Sequence, residues 1–234
     1  MRRILATVLL YYLMSMVPAA AVQAATVTGD VLVWQEQEPG VEPYVNRMLI
    51  TADHLRSDDG DDHGDYLLFD RRTGILYSVS HERRTLLVVT ADPVPADAGP
   101  RPEVRVEVGS DPAAPSIAGR VVKEVRLHSG GALCMQATVV PGLLPDAAAA
   151  LREMRTRLAG RQYRDLDKTP EEFRTPCFLA NYVYETGRAL ETGLPVQESV
   201  RGGMQRMLQD FRAGQTLPAT LFGLPAGYQR EEIP

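Results

Sequence analysis

An α+β domain built on antiparallel sheet is the fold class the sequence predicts, on three observations. Tyr66 to Val89, YLLFDRRTGILYSVSHERRTLLVV, holds short apolar runs separated by two charged turn signals, the pattern of a sheet meander. Tyr44 to Thr51 alternates Tyr44, Asn46, Met48 and Ile50 against Val45, Arg47, Leu49 and Thr51; two partly apolar faces are what a curved sheet covered on its inner side requires. After Pro141-Gly142 the composition turns alanine-rich, with Leu144, Ala147, Ala148, Leu151, Met154 and Leu158 at helical spacing.

The N-terminus sets the expected compartment. Arg2 and Arg3 precede an apolar run from Ile4 to Val17 and a small-residue stretch ending at Ala24, so residues 1–24 read as a secretory signal peptide and 25–234 as one mature domain. The run is short of the about 20 residues a membrane span needs. Without a cysteine at the junction, the bacterial route to a lipid-anchored N-terminus is closed, and a soluble periplasmic or external protein is expected. Losing Arg2 and Arg3 leaves 23 basic against 30 acidic residues, a net charge of −7. No basic stripe remains for phosphates, so nucleic acid is excluded as a partner, and a monomer is expected.

Taken in order, Thr26 to Gln37 reads as the first strand, with the lone Trp34 near its end, in the core or at its rim. Tyr44 to Thr51 and His54 to Asp59 are the next strands, before the meander. The acidic run Asp58 to Asp65 imitates a calcium loop, with Asp59, Asp61, His63, Gly64 and Asp70 at the first, third, fifth, sixth and twelfth positions. Such a loop joins two helices, whereas Tyr66 to Asp70 reads as strand, so a water-facing hairpin tip is favoured and no metal is expected. Glu103 to Val108 is an exposed strand after a Pro/Ala/Asp/Gly-rich loop. Arg120 to His128 and Leu133 to Val140 form a hairpin around Ser129-Gly130-Gly131.

The helical insertion, 143–186, begins with Leu143 to Ala159. Thr169-Pro170-Glu171-Glu172 announces a second helix, with Thr169 as cap, and Thr175 or Pro176 a restart carrying Cys177, Leu179, Ala180 and Val183. Cys134 and Cys177 are the two cysteines, and an even pair in a secreted chain favours a disulfide, pinning that helix to the strand of Cys134. The rival, a catalytic or metal-bound thiol, lacks C-x-x-C or a neighbouring histidine. Gly193-Leu194-Pro195 reopens extended structure. Met204, Met207, Leu208 and Phe211 have helical spacing, although Arg201-Gly202-Gly203 looks like a hairpin turn. Pro218 and Pro225 forbid a regular central strand in the tail, where Leu221, Phe222 and Leu224 are expected along an edge.

Catalytic patterns are missing. No G-x-S-x-G occurs, His54, His63, His81 and His128 are scattered without metal-ligand spacing, and the acidic turn offers no carboxyl with a reason for a raised pKa. The expectation is no enzyme and no cofactor.

Met48-Leu49-Ile50 leading to Leu55-Arg56-Ser57-Asp58-Asp59, the run Leu68-Phe69-Asp70-Arg71 with Ile75-Leu76-Tyr77-Ser78-Val79, the helical insertion, Gly193-Leu194-Pro195 and Leu224-Pro225-Ala226-Gly227-Tyr228 together resemble the LolA/LolB-like periplasmic proteins, in an uncharacterised secreted branch. The resemblance implies a curved, unclosed antiparallel β half-barrel covered by two or more helices, and a strand over Met204 to Phe211. It implies an apolar space between sheet and helices, lined by Trp34, Met48, Ile50, Phe69, Tyr77 and Val79. Either that space shelters a lipid, lipoprotein or other hydrophobic ligand, or the same side chains fill it. The expected function is a non-catalytic periplasmic carrier, with roles in outer-membrane biogenesis; an envelope protein-interaction or stress-sensing module is the alternative.

Overall fold

The computed structural model describes residues 25–110 and 113–233; the signal-peptide reading of residues 1–24 lies outside them. Twelve strands among the described residues form one sheet: β1 (Thr26–Gln37), β2 (Tyr44–Thr51), β3 (His54–Asp58), β4 (Tyr66–Asp70), β5 (Ile75–Ser80), β6 (Thr85–Val89), β7 (Val104–Gly109), β8 (Lys123–Ser129), β9 (Ala132–Val140), β10 (Leu194–Val200), β11 (Gln205–Pro218) and β12 (Gln229–Ile233). Their order is β12-β6-β5-β4-β3-β2-β1-β11-β10-β9-β8-β7, so the sheet is unclosed. Every pairing is antiparallel except that of β12 with β6. The first strand therefore lies in the interior of the sheet, between β2 and β11.

One face of this half-barrel packs on helix α1 (Pro145–Arg164). Proline at the first turn, Asp146 beside it, and Arg161 and Arg164 in the last turn suit the helix ends and their dipole. Ala147, Ala150 and Leu151 are fully buried against Leu32, Trp34, Ile50, Leu55 and Phe69. Gly160 lies so close to the chain that a Cβ there would run into the Asp92 carbonyl oxygen. Polar straps hold α1 to one flank of the sheet. Arg71, in the β4–β5 turn, donates to Asp146 (3.0 and 3.1 Å) and Glu153 (2.8 and 3.2 Å), and Arg161 donates to the Ile233 carbonyl at 3.0 Å. Arg155 reaches the other way, to Glu198 of β10. The helix thus bridges the two wings of the sheet.

The opposite face carries a second core of Val31, Leu49, Tyr66, Leu68, Val79 and Leu86, covered by Leu221 and Phe222. The sequence places these two tail residues along an edge, but they roof a sheet face, because Arg56 reaches through to them. Its guanidinium is buried, donates to the Leu221 carbonyl at 2.9 Å and to Asp58 at 2.6 Å, and lies 4.0 Å from the Tyr66 ring centre. Tyr66 in turn donates to the Gly223 carbonyl at 2.6 Å. Arg47 closes the cluster on Asp58 (2.7 Å) and Asp62 (2.7 Å). The acidic turn is thus anchored by arginines at Asp58 and Asp62, while Asp59 and Asp61 accept backbone N–H groups from Asp61 and His63.

One further segment differs from expectation, and one open alternative is decided. Thr169 does not cap a helix; its hydroxyl donates back to the Asp165 carbonyl at 3.2 Å, and Glu171–Phe173 makes only a single tight turn. The restart is at α2 (Pro176–Leu179), where the Thr175 hydroxyl accepts from the Phe178 N–H at 3.2 Å. A wider turn over Ala180–Tyr184 follows, then α3 (Arg188–Thr192), which carries the helical layer past residue 186. Met204 to Phe211 is not helical: Gln205–Pro218 is strand, held in a long ladder with β1.

A cleft between the helical layer and the sheet

Cys134 of β9 and Cys177 of α2 form a disulfide with Cα atoms 5.0 Å apart, and Asn181 donates to the Cys134 carbonyl at 2.9 Å. These two ties fix the 175–184 segment over β9. Ala180 and Val183 are buried beneath it, and Asn181 and Tyr182 border the space between this segment and α1. Between them opens a cleft of about 240 Å³. Met135, Leu158, Val200 and Met204 give it apolar walls, and Arg155 and Glu198 form its charged floor.

Arg155 grips Glu198 with both nitrogens, Nη1 to Oε1 at 2.9 Å and Nη2 to Oε2 at 2.6 Å, and donates to the Thr186 carbonyl at 3.3 Å. Behind it, Arg206 Nη2 lies 2.7 Å from Glu198 Oε2, and Arg206 is stacked 4.5 Å from the centre of the Trp34 ring. Glu36 stands 4.0 Å from Arg206 Nη1. Burial alone would raise the Glu198 carboxyl, but Arg155 and Arg206 outweigh it and hold it down to about 2. Burial pulls Arg206 below the ordinary guanidinium range, against the pull of Glu198. Tyr182 is pushed up by burial and by the Glu198 charge. The floor is thus a fixed cluster in which one carboxylate, Glu198, is held between two guanidinium groups. Arg206 Nε and Trp34 Nε1 are buried donors without a hydrogen-bond partner.

Tyr182 is also a wall of a second opening, a groove of about 410 Å³ on the outer side of the disulfide. Phe173, Phe178, Pro176 and Arg201 contribute to it, and Phe173 is 61% exposed. The Phe178 and Tyr182 rings meet at 5.6 Å, so an aromatic ridge separates cleft from groove.

The sequence-predicted lining residues are split. Trp34, Met48, Ile50 and Phe69 lie together in the core under α1. Tyr77 and Val79 belong to the opposite face, with Tyr66 and Leu68, because β5 pairs Val79 with Tyr66 and Tyr77 with Leu68. None of the six borders the cleft. Of the residues that do, Glu198 is signalled in the strand alternation, together with Glu36 and Arg206 behind it. Glu36, Glu198 and Arg206 each occupy the buried parity of a strand, flanked by exposed Gln35 and Gln37, Gln197 and Ser199, or Gln205 and Met207. A charge in an apolar register is costly unless paired, and three such charges on neighbouring strands mark one site.

No protein-family model matches the chain, and no curated protein matches it. Among solved structures, an uncharacterized conserved protein from Thermus thermophilus is similar over 88% of this chain and 91% of its own, at 11% identity and a TM-score of 0.44. PNGF-II, solved in C2 and P21 space groups, is similar over 88% of this chain but only 31% and 32% of its own, at 10% and 8% identity and TM-scores of 0.40 and 0.42. Among the described residues, what defines the chain is an unclosed, mostly antiparallel sheet, a disulfide-pinned helical layer, and the cleft between them; no helix there is long and apolar enough to cross a membrane.

Proposed function

We propose that the chain is a non-catalytic periplasmic binding or carrier protein for a hydrophobic ligand, a lipid or acylated molecule, and that the ligand sits in the cleft above Glu198. The observation that carries this reading is the cleft's composition: apolar Met135, Leu158, Val200 and Met204 around a floor whose carboxylate, Glu198, is already paired. Such walls gain about 0.8 kcal/mol for each methylene they bury, and flexible methionines adapt to chains of different shape. The neighbouring aromatic groove gives a longer chain somewhere to continue past Tyr182. The disulfide supports an oxidising compartment. The half-barrel with a helical cover supports, at the level of architecture, the LolA/LolB-like resemblance.

The non-catalytic part rests on chemistry. Glu198, held down to about 2, is a poor proton acceptor near neutrality, and no Ser, Cys or His is among the cleft residues. Protein purified from a bacterial periplasm is expected to carry an apolar species in native mass spectrometry. After delipidation it should bind a fluorescent fatty acid saturably, with Leu158→Trp blocking that binding. Absence of both a co-purifying species and saturable binding overturns the proposal; binding untouched by Leu158→Trp moves the site out of the cleft.

A further inference from the structure

We infer that β7 is a self-pairing edge: two copies of this chain join their sheets antiparallel about Val106. β7 ends the strand order and pairs on one side only, Val104 with Ser129 through Gly109 with Glu124 of β8. Its other side offers a row of backbone donors and acceptors to which no described strand is bonded. Val104 and Val106 pack on the core beneath β8 and β9, while Val108 is 52% exposed. The side chains of Arg105 and Glu107 are 70% and 43% exposed, on the other face.

Charge order selects the partner. A two-fold axis perpendicular to the sheet keeps each face on its own side, so only residues of the same parity oppose one another. A register centred on Arg105 sets arginine against arginine. One centred on Glu107 sets glutamate against glutamate, and one on Val108 reaches only Gly109. Centred on Val106, the sequence VRVEV is complementary to itself: Arg105 faces Glu107 twice, Val104 faces Val108 twice, and the valine row continues from one copy into the next. Each copy's own Arg105–Glu107 contact, 2.9 Å, then becomes part of a four-charge alternating square.

The other sheet edge behaves differently. In β12, QREEI, every such register that pairs three or more residues places Arg230, Glu231 or Glu232 against its own copy. That edge repels itself, and β7 does not. Five residues a side bury less than the about 1,200 Å² of a stable interface, so the dimer forms by mass action, at high concentration and low salt.

Sedimentation of the full chain over a concentration series tests this. The wild type is expected to self-associate reversibly, and Arg105→Glu to weaken dimerisation about tenfold by opposing like charges at both pairs. The double exchange Arg105→Glu with Glu107→Arg restores the complementarity and the wild-type association, which a merely unstable variant would not do. Backbone N–H exchange in β7 should slow as concentration rises. A chain that stays monomeric at millimolar concentration, or one whose association ignores the single reversal, overturns the inference.

Discussion

Two buried clusters in this molecule hold a carboxylate between two arginines, and they do different work. On one face Asp58 sits between Arg47 and Arg56; on the other Glu198 sits between Arg155 and Arg206. Around Asp58 the donors are used up on structure. Arg56 reaches the Leu221, Asp61 and Asp62 carbonyls and covers the Tyr66 ring, so the cluster staples the tail to the sheet. Around Glu198 one arginine borders a cleft and the other keeps an unpartnered Nε. The same ion arrangement is a rivet where the chain closes over it and the floor of an open cleft where it does not.

The contrast is sharpest in mutants. Asp58→Ala strands Arg56, 2% exposed, with nowhere to turn, and should cost about 4–5 kcal/mol in urea unfolding. Removing the Cys134–Cys177 bridge, which spans 43 residues, should cost up to about 4 kcal/mol and speed backbone N–H exchange in 175–184 while leaving the Asp58 side unchanged. Glu198→Gln should cost only about 2 kcal/mol, since Arg155 can turn into the cleft and Arg206 keeps Glu36 within reach. A loss at Glu198 larger than at Asp58 would break the distinction.

The smallest effect is in the pH profile. The Glu198 carboxyl is lowered from an ordinary 4.5 to about 2, so the folded state binds its proton less readily than the unfolded chain. Its contribution is complete above pH 4.5 and is lost as pH falls toward 2. Glu198→Gln should therefore flatten the acid limb of the stability curve in that window. Asp58, also lowered because Arg47 and Arg56 outweigh its burial, should steepen the same limb in the wild type.

Strands with strict alternation and clear turns were legible in the sequence. Thr26 to Gln37 and Tyr44 to Thr51 keep their expected limits because each buries side chains on both faces, Leu32, Trp34, Met48 and Ile50 on one and Val31 and Leu49 on the other. β11 hid itself: the register shift in its ladder with β1 between Val33 and Trp34, opposite Leu208 and Asp210, breaks the two-residue period and leaves a helix-like spacing. β12 was invisible, because QREEI has no buried face and is held by its backbone ladder to β6. The cleft was missed for another reason. Apolar residues at strand parity point to a lining, but in this fold Trp34, Met48, Ile50 and Phe69 fill the core under α1, while one charged strand residue at buried parity, Glu198, marks the opening.

The position of β1 has a consequence for the life of the chain. Its partner on one side is its immediate successor, but on the other it must wait for residues 205–218, far along the chain. Until then a twelve-residue strand, apolar over Val31 to Trp34, has one naked flank, and pairing across so long a stretch of sequence is slow. A product cut short before residue 205 would keep that flank bare for good, making premature termination a route to aggregates rather than to a smaller working protein.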